Sequence, residues 1–373
     1  MFLFFVTLLT VAAIGLFFWL HGDDLSPFDK GYPKPIAGTV PSEGVGSVVQ
    51  SVAGFTGATA GLKPGRARLT MLRQALDGIS ETKRFDVSFK KSAAGEPQGE
   101  WVLSANGDPD RRLLYVHGGG FVAGSPKSHR VITSALAELT GMAVFSLDYR
   151  LVPEHSRLAG LDDTENAFIW LTENGPQGPG VSRFMAVAGD SAGGNLILAA
   201  VQRLRDKGLK NADAIVGICP STDLTMRSPS LRANLTSDLM LGGGLAPLLR
   251  MPAPLRHAMI ALTSKRSPAS PELSPLRGDL TDLPPILLQV SLTEMLLDDS
   301  ARYFHRAKSL GADVSLHTYD NMVHVWHMFY PELSEAKLAL EGVANFLRAV
   351  EEGGECGAFN AGEVRNPAGA SAA

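Results

Sequence analysis

The chain has 373 residues, of which 45% are hydrophobic and 19% are charged, and its formal net charge is -4. These proportions are typical of a globular protein with a sizeable core, built as one large domain with insertions or as two domains. The small negative charge gives no reason to expect a nucleic-acid partner. Cys219 and Cys356 are the two cysteines. They are far apart and match no metal-ligand spacing, so neither a disulfide framework nor a metal site is predicted.

The first predicted element is an apolar helix. Residues 2–20, FLFFVTLLTVAAIGLFFWL, contain no charge and no proline. As a helix they would extend roughly 28 Å, close to the hydrocarbon thickness of a bilayer. No Lys or Arg precedes the run and no small-residue cleavage site follows it, while Trp19 suits a membrane interface. We therefore predict a single N-terminal membrane anchor in residues 1–22 and a membrane-associated protein. The alternatives are secretion after cleavage of a signal peptide and a buried hydrophobic helix.

The next segments connect this run to the main fold. Residues 23–65 are rich in Gly, Pro and Ser, which predicts a linker with one short helix at about 46–56. Apolar residues at helical spacing predict a helix over 66–79. Short alternating runs within 84–104 indicate an antiparallel hairpin.

From Arg111 onward, short and nearly continuous apolar runs alternate with helical patterns. Such runs are typical of strands that are buried on both faces. The alternation therefore predicts an α/β fold over 66–350, with a mostly parallel, doubly wound sheet. The strand runs are 113–116, 142–149, 184–189, 214–219, 285–290 and 314–319, and the helical patterns lie at about 127–140, 160–173, 193–207, 298–310 and 333–350.

Two segments do not follow this alternation. Residues 221–280 are irregular and contain many Pro, Ser and Leu residues, so we expect an inserted lid at about 221–270. Residues 351–373 contain too few apolar residues to fold, which predicts a disordered tail.

Ser191 lies at the point where a predicted strand, FMAVAG, becomes a predicted helix. A sharp strand-to-helix turn holds a serine hydroxyl clear of the backbone, and small residues such as Gly189 and Gly193 relieve the crowding there. The helix that follows directs the Ala192 amide toward any negative oxygen that forms at Ser191. A serine that only caps a helix is the alternative. The strand before it and the helix after it favour a nucleophile.

Residues 113–125, LLYVHGGGFVAGS, place three glycines directly after a buried strand. Their backbone amides are not covered by side chains and can bind a developing oxyanion, each such donor being worth roughly 3–4 kcal/mol in the transition state. A flexible turn is the alternative. The combination of HGGG with the serine turn downstream predicts an acyl-transfer site, in which the amides of Gly118, Gly119 and Ala192 form the oxyanion hole.

Six motifs in the same order resemble the hormone-sensitive-lipase-like branch of α/β-hydrolase esterases, bacterial family IV. The resemblance covers residues from about 68 to 350 and implies the α/β-hydrolase fold. It also implies carboxylic-ester hydrolysis without a metal or cofactor, and a helical cap built from residues 23–65 and the insertion. The motifs are HGGGF (117–121), YRLVPEH (149–155), LDD (161–163), GDSAGG (189–194), SPLRGDL (274–280) and NMVHVW (321–326).

The histidine of the triad should follow the nucleophile and the acid in the chain. His324, in YDNMVHVWHMF, matches the family position after the last strand run. His327 is the local rival, at the predicted start of a helix. The other histidines have supporting roles available: His117 beside the glycines, and His129 at a surface position.

The acid should stand at the carboxyl end of a strand, where it orients the imidazole and stabilises the imidazolium. Glu294 is the first carboxylate after the run PILLQV. It aligns with the position at which most relatives carry Asp followed by Pro-Leu, so the chain resembles a Glu-using subgroup. Asp298 is the alternative acid, although it and Asp299 also suit the start of a helix.

Asp190, beside the nucleophile, is expected to hydrogen-bond nearby loops and hold the turn. Tyr149, Arg150 and Glu154 are expected to form a buried polar network that supports the glycine loop. Asp162 and Asp163 are expected to stand at a helix start with the same supporting task.

The function predicted from these residues is hydrolysis of small-molecule carboxylic esters, through Ser191, His324 and Glu294. The resemblance implies short to medium acyl chains, and the Leu- and Met-rich insertion suits an apolar pocket. The alternatives are a lipase acting on longer chains, a deacetylase or amidase with the same triad, and a non-catalytic binding protein on the same fold. The sequence does not set the oligomeric state.

Overall fold

The computed structural model describes residues 18–38, 42–58 and 65–354, together with Gly15 and Val40. Its strands are β1 (Val87–Lys91), β2 (Gly99–Ser104), β3 (Asp108–Val116), β4 (Met142–Leu147), β5 (Asn174–Gly175), β6 (Gly178–Pro179), β7 (Phe184–Asp190), β8 (Ala214–Ile218), β9 (Ile286–Ser291) and β10 (Val314–Tyr319). Its α-helices are α1 (Val45–Ala58), α2 (Arg66–Gly78), α3 (Arg130–Thr140), α4 (Arg157–Glu173), α5 (Ser191–Asp206), α6 (Ser230–Ala233), α7 (Gly242–Arg250), α8 (Ala253–Ser264), α9 (Leu297–Ser309) and α10 (Ser334–Glu351).

Eight of the described strands form one sheet in the order β1-β2-β4-β3-β7-β8-β9-β10, while β5 and β6 pair separately. The pairings from β4 to β10 are all parallel, and β2 runs antiparallel to both of its neighbours. The predicted α/β class with a mostly parallel sheet is therefore confirmed. The antiparallel pair β1–β2 is the hairpin predicted within 84–104.

The hydrophobic core lies on both faces of the sheet, because alternate residues of each strand point to opposite sides. Leu114 and Val116 of β3 belong to the cluster that α4, α5 and α9 cover, and Leu113 and Tyr115 belong to the cluster under α3 and α10. All four side chains are fully buried. Burial of each large apolar side chain contributes about 1.5–3 kcal/mol. This explains why these strands are nearly continuous apolar runs.

The segment before α1 differs from the predicted free linker. It lies against the outer strand β10, where the Ile36 amide donates to Thr318 O at 2.8 Å and the Asp320 amide donates to Ala37 O at 2.8 Å. Earlier in the same segment, Asp29 Oδ2 accepts a hydrogen bond from Arg302 Nη2 at 2.9 Å. An uncovered edge strand would leave backbone donors and acceptors without partners, and this segment supplies them.

The N-terminal anchor is the prediction that is corrected. In the parts of the chain that the structure describes, no helix is long and apolar enough to cross a membrane. Most of the run 2–20 lies outside the described residues. Its described end packs against the protein: Leu20 is buried, Ser267 Oγ donates to Trp19 O, and the rings of His21 and His257 meet edge to face at 4.4 Å. The predicted localisation in a membrane through a single helix is therefore wrong.

Between β8 and β9 the chain leaves the sheet and forms α6, α7 and α8. We call residues 221–270 the β8–β9 insertion. The sequence did not predict α7. This helix begins with Gly242 and the two glycines after it and contains Pro247, and these residues are poor helix formers. Apolar residues of the insertion pack into a buried cluster with Met295 and Leu296. Toward the C-terminus, α10 continues to Glu351, and residues 355–373 of the predicted tail lie outside the described residues.

Candidate active site

The candidate site residues follow four strands of the sheet at the edge where the parallel strands end. Gly118 comes two residues after β3, Ser191 directly after β7, Glu294 three residues after β9 and His324 five residues after β10. The carboxyl ends of parallel strands lie at one edge of a sheet, and this edge is where open α/β folds place their sites. The topology therefore brings together residues that are far apart in the chain.

Ser191 is held in a strained turn. Its φ is 52°, in the left-handed region that residues with a Cβ rarely adopt. A Cβ on Gly193 would lie 1.9 Å from Val116 O, and one on Gly189 would lie 2.8 Å from Gly193 O. Glycine is therefore required at both positions, because β7 and α5 cross there against the end of β3. As predicted from the sequence, this is a sharp strand-to-helix turn.

The structure brings Ser191, His324 and Glu294 together. The Ser191 hydroxyl lies 2.9 Å from His324 Nε2 and donates to it, while His324 Nδ1 lies 3.3 Å from Glu294 Oε2. Glu294 is fully buried and His324 is 4% exposed. With Nδ1 protonated and facing the carboxylate, Nε2 is free to accept a proton from the hydroxyl.

The buried carboxylate changes the acid–base properties of His324. Burial by itself lowers the pKa of His324, but the hydrogen bond to Glu294 and the charge of Glu294, followed by the charges of Asp238 and Asp190, raise this pKa above its ordinary value. Burial raises the pKa of Glu294, and the contact with His324 counteracts part of that rise. An imidazolium at this position is therefore stabilised by a neighbouring negative charge.

The loop that carries His324 is fixed by its neighbours. Thr293 Oγ1 donates to Met322 O at 3.0 Å, and the Met322 amide donates to Ser291 Oγ at 3.2 Å. Val325, the next residue after His324, has a φ of 53°, which is unusual for a β-branched side chain. The contacts with the end of β9 hold this conformation and tie the histidine loop to the loop of Glu294.

The rival residues are engaged elsewhere. Asp298 accepts from Tyr32 Oη at 2.5 Å and from the Ser230 amide at 2.6 Å, and it makes no described contact with His324. His327 Nε2 lies 2.8 Å from Gln289 Oε1, and burial lowers the pKa of His327 to about 3. His327 is therefore a neutral core residue.

Asp299 is likewise committed to the start of the insertion. One of its carboxylate oxygens accepts from the amides of Thr222 at 2.7 Å and Asp223 at 3.1 Å, and the other accepts from Ser228 Oγ at 2.5 Å. Burial and then the charge of Asp223 raise the pKa of Asp299 to about 7. It is a structural carboxyl group rather than a partner of His324.

Asp190 binds the glycine loop and two side chains beside it. Its Oδ1 accepts from Tyr115 Oη at 2.7 Å and from the Gly118 amide at 2.9 Å, and its Oδ2 pairs with His129 Nε2 at 3.4 Å. Burial by itself raises the pKa of Asp190, but His129 and the Tyr115 hydroxyl outweigh it and lower this pKa to about 2. Asp190 is therefore an anion bonded to the Gly118 amide, and its supporting role in the site stays a prediction.

This arrangement bears directly on the predicted oxyanion hole. The Gly118 amide, one of its three predicted donors, already donates to Asp190. The amides of Gly119, Gly120 and Ala192 form no hydrogen bond with another described residue. Gly119 has a φ of +115°, and a Cβ there would lie 2.1 Å from Ala123 O. Of these backbone amides, those of the second and third glycines and of the first residue after the serine are thus without a hydrogen-bond acceptor among the described residues.

Three residues near the glycine loop make contacts that differ from the prediction. His129, expected at the surface, is 3% exposed and contacts Asp190; its position in the sequence carries no periodic signal of burial. Arg150 pairs with Asp163, and Glu154 pairs with Arg73 at exposed positions, so neither belongs to a buried network.

Two buried aromatic rings do support the glycine loop. Tyr149 Oη donates to His117 O at 3.0 Å, and the two rings stack at 4.3 Å between centroids. Burial lowers the pKa of His117 to about 3, so its ring is neutral. His117 Nδ1 lies 2.8 Å from Gly118 O. The histidine of the HGGG motif therefore acts on the shape of the loop.

One thiol lies within this site. Cys219 Sγ, a carboxylate oxygen of Glu294 and a ring nitrogen of His324 all lie within 4.8 Å of one another. Zn²⁺ accepts these donor types, but it needs the thiolate. Burial and then the charge of Glu294 raise the pKa of the Cys219 thiol well above its usual range. The thiol therefore stays protonated beside the carboxylate.

The sheet, the serine turn and the adjacent histidine and carboxylate define the α/β-hydrolase class. Residues 113–328 match the family described as alpha/beta hydrolase fold. The chain is 38% identical over 255 residues to an acetyl-hydrolase of Streptomyces hygroscopicus, covering 68% of this chain and 80% of the relative. It is 32% identical over 249 residues to an esterase of Acinetobacter venetianus, covering 67% and 78% of the two chains.

A solved structure extends the comparison to the fold. An esterase from the bacterial hormone-sensitive lipase family superposes with a TM-score of 0.72 at 32% identity, covering 84% of this chain and 100% of the other. The chain belongs to the hormone-sensitive-lipase-like family IV esterases of the α/β-hydrolase superfamily. Membership of this family makes it a serine ester hydrolase.

Proposed function

We propose that the chain hydrolyses carboxylic esters of small molecules through a Ser191–His324–Glu294 triad. The observation that carries the proposal is the 2.9 Å contact between the Ser191 hydroxyl and His324 Nε2, with Glu294 on the other ring nitrogen. A serine hydroxyl is a weak nucleophile until an adjacent base takes its proton. This geometry supports that transfer.

Ser191 Oγ attacks the ester carbonyl carbon as His324 Nε2 takes the hydroxyl proton. The tetrahedral intermediate collapses, and the alcohol leaves with the proton from His324. Water then attacks the acyl-enzyme while His324 takes one of its protons. The carboxylic acid is released, and Ser191 regains its proton. Glu294 stabilises the imidazolium in both halves of the reaction.

The amides of Gly119 and Ala192 bind the oxyanion in this proposal, with Gly120 as the third donor in place of Gly118. The support is that these amides make no other described hydrogen bond, whereas the Gly118 amide is engaged by Asp190. Donors that are fixed in advance stabilise the developing charge without reorganisation. Asp190 keeps the loop in the shape that presents them.

For the substrate, we propose esters with short to medium acyl chains. The acetyl-hydrolase of Streptomyces hygroscopicus is a relative that acts on a small acyl group, as its name states. In addition, Met226, Leu231 and Leu249 of the insertion pack in a buried cluster with Met295. We propose that the insertion acts as the cap over the site. Because these side chains already pack against one another, they leave room for a small acyl group.

Substitution of the nucleophile tests the proposal. Ser191→Ala should reduce kcat/KM on p-nitrophenyl esters by roughly a thousandfold or more. Ser134→Ala is the matched control, because the Ser134 hydroxyl is buried and has no hydrogen-bond partner among the described residues. Ser134→Ala should retain the parent activity. If Ser191→Ala stays within tenfold of the parent, Ser191 is not the nucleophile.

A series of acyl lengths tests the substrate class. Acetate and butyrate esters should be hydrolysed with higher kcat/KM than octanoate and palmitate esters. A maximum at palmitate would indicate a lipase, and faster cleavage of the matched acetanilide would indicate an amidase. A folded chain that hydrolyses none of these substrates would contradict the enzymatic proposal and favour a binding protein.

A further inference from the structure

The side-chain amide of one residue in the insertion bridges two peptide carbonyls on either side of the proposed triad acid. We call residues 292–295 the acid loop. Asn234 Nδ2 donates to Leu292 O at 3.0 Å and to Glu294 O at 2.8 Å. An amide nitrogen has two hydrogens, and Asn234 uses both on the acid loop. It therefore fixes the backbone two residues before Glu294 and at Glu294 itself.

Neighbouring side chains of the insertion complete this attachment. Ser237 Oγ donates to Thr293 O at 2.9 Å, and Ser230 Oγ donates to Met295 O at 2.8 Å. Asp238 Oδ2 accepts from the Met295 amide at 2.8 Å. Ser230 and Asp238 are almost completely buried. Every carbonyl of the acid loop thus accepts a hydrogen bond from a side chain of the insertion.

The Glu294 carboxylate, in contrast, has few restraints of its own. Oε2 faces His324 Nδ1 at 3.3 Å, while Oε1 has no hydrogen-bond partner among the described residues. Carboxylates that orient a histidine are usually held by further donors. The other donor beside the carboxylate is the Cys219 thiol, which is a weak donor, so the direction of the carboxylate depends largely on where its backbone lies.

We propose that Asn234 is a positioning residue for the triad acid, because its amide holds the acid loop so that Glu294 meets His324. This inference rests on the proposed function of Glu294. It means that the position of the insertion and the alignment of the proposed triad are coupled through the Asn234 side chain. A displacement of about 1 Å at a catalytic group can lower the rate by roughly a hundredfold, so such coupling affects turnover directly.

The experiment is a double-mutant cycle in the full chain. Asn234→Ala should lower kcat on p-nitrophenyl butyrate by roughly tenfold to a hundredfold with little change in KM. In a Glu294→Gln background, the same Asn234→Ala substitution should lower kcat by less than about threefold, because the group that it positions is already lost. Equal losses in both backgrounds would overturn the proposal.

The pH profile supplies a second readout. The charged groups that face His324 are Glu294, Asp238 and Asp190, and the neutral titratable groups Cys219 and His327 also lie close. Asn234→Ala changes none of these charges. A loosened Glu294 should nevertheless stabilise the imidazolium less, so the acid limb of kcat/KM should move to lower pH. An unmoved limb together with a lower kcat would mean a structural role only.

Two further variants keep the test decisive. Asn211→Ala removes a similar bond, from Asn211 Nδ2 to Val201 O at 3.0 Å, away from the acid loop. It should retain the parent kcat and pH profile. Ser237→Ala changes an exposed position and replaces Asn234→Ala in the test if that variant does not fold. It should lower kcat and move the acid limb of kcat/KM to lower pH, each by a smaller amount. If Ser191→Ala is active, the proposed triad itself is wrong. If Ser191→Ala is inactive but Asn234→Ala does not change kcat and the pH profile as expected, only the role proposed for Asn234 is wrong.

Discussion

At the scale of single residues, Glu294 decides how readily His324 holds a proton. The carboxylate lies in the core, where its charge acts through a medium of low polarity and has a stronger effect than at the surface. The pKa of His324 is raised in consequence. As the proposed general base, His324 must be neutral in the free enzyme, so kcat/KM should fall as the pH drops through this raised pKa.

Glu294→Gln tests this relation. The neutral amide no longer stabilises the imidazolium, so the pKa of His324 should fall and the acid limb of kcat/KM should move to lower pH. At the same time, kcat should fall by roughly a thousandfold. Glu294→Asp is the control: it keeps the charge, so its limb should stay closer to that of the parent. A limb that does not move in Glu294→Gln would show that another group raises the pKa of His324.

At the scale of elements, the crossing of β7 and α5 over β3 determines where Ser191 stands. The helix begins at the serine itself, two residues earlier than the helical pattern predicts. Val116 O approaches Gly193 so closely that no side chain fits between them. Ser191, the proposed nucleophile, is therefore held in place by close packing of these elements and not only by a flexible turn.

Gly193→Ala tests this packing. The added Cβ would lie 1.9 Å from Val116 O and 2.6 Å from His117 O, so α5 must move away from β3. We expect a loss of about 3 kcal/mol or more in the free energy of unfolding, together with loss of activity. Urea denaturation followed by circular dichroism measures the first effect.

Gly54→Ala is the matched control for that substitution. Gly54 is also in a helix, but a Cβ there would meet nothing within 4 Å. Alanine is the better helix former, so this variant should gain up to about 1 kcal/mol and keep its activity. A Gly193→Ala variant as stable as Gly54→Ala would contradict the close approach.

At the scale of the whole molecule, the segment before α1 connects distant parts of the fold. It pairs with the edge strand β10 and neutralises Arg302, whose side chain is 6% exposed. The Asp29 side chain is 32% exposed, and the charges of Asp223 and Asp299 also act on Arg302. Loss of Asp29 should therefore cost less than about 3–5 kcal/mol, the cost typical of breaking a fully buried pair. The segment is thus part of the folded body.

A truncation series tests this conclusion. A chain that begins at Glu43 lacks Asp29 and the backbone partners of β10, so its thermal midpoint should fall and its exposed edge should promote aggregation. A chain that begins at Phe18 keeps these contacts and is the control. Calorimetry and light scattering give the two readouts. Equal midpoints for the two chains would mean that the segment does not stabilise the fold.

Much of this arrangement could be predicted from the sequence, because its signals are local. A strand followed by Gly-x-Ser-x-Gly and a helix describes the Ser191 turn within a dozen residues. The buried runs of β3, β7, β9 and β10 predict a parallel sheet whose carboxyl ends meet. The order of Ser191, Glu294 and His324 in the chain then predicts which side chains converge.

Other features were decided by contacts between residues far apart in the chain. His129 gave no sign that it would face Asp190, and Gly118 gave none that its amide would be taken by that carboxylate. The apolar run near the N-terminus matched a membrane anchor in length and composition, but its described end packs on Ser267 and His257. The sequence around Asn234 gave no sign that its side chain would contact residues 292–295.

The sequence by itself thus determined the fold class and the proposed nucleophile, because periodicity and turn chemistry act over a few residues, whereas the proposed base and acid followed from the resemblance to the family. The tertiary structure alone decided which backbone amides of the glycine loop are free, how the N-terminal segment packs, and which side chains hold the acid loop. The physical reason is that hydrogen bonds are short and directional. Their partners are chosen only when packing has brought separate segments within about 3 Å of each other.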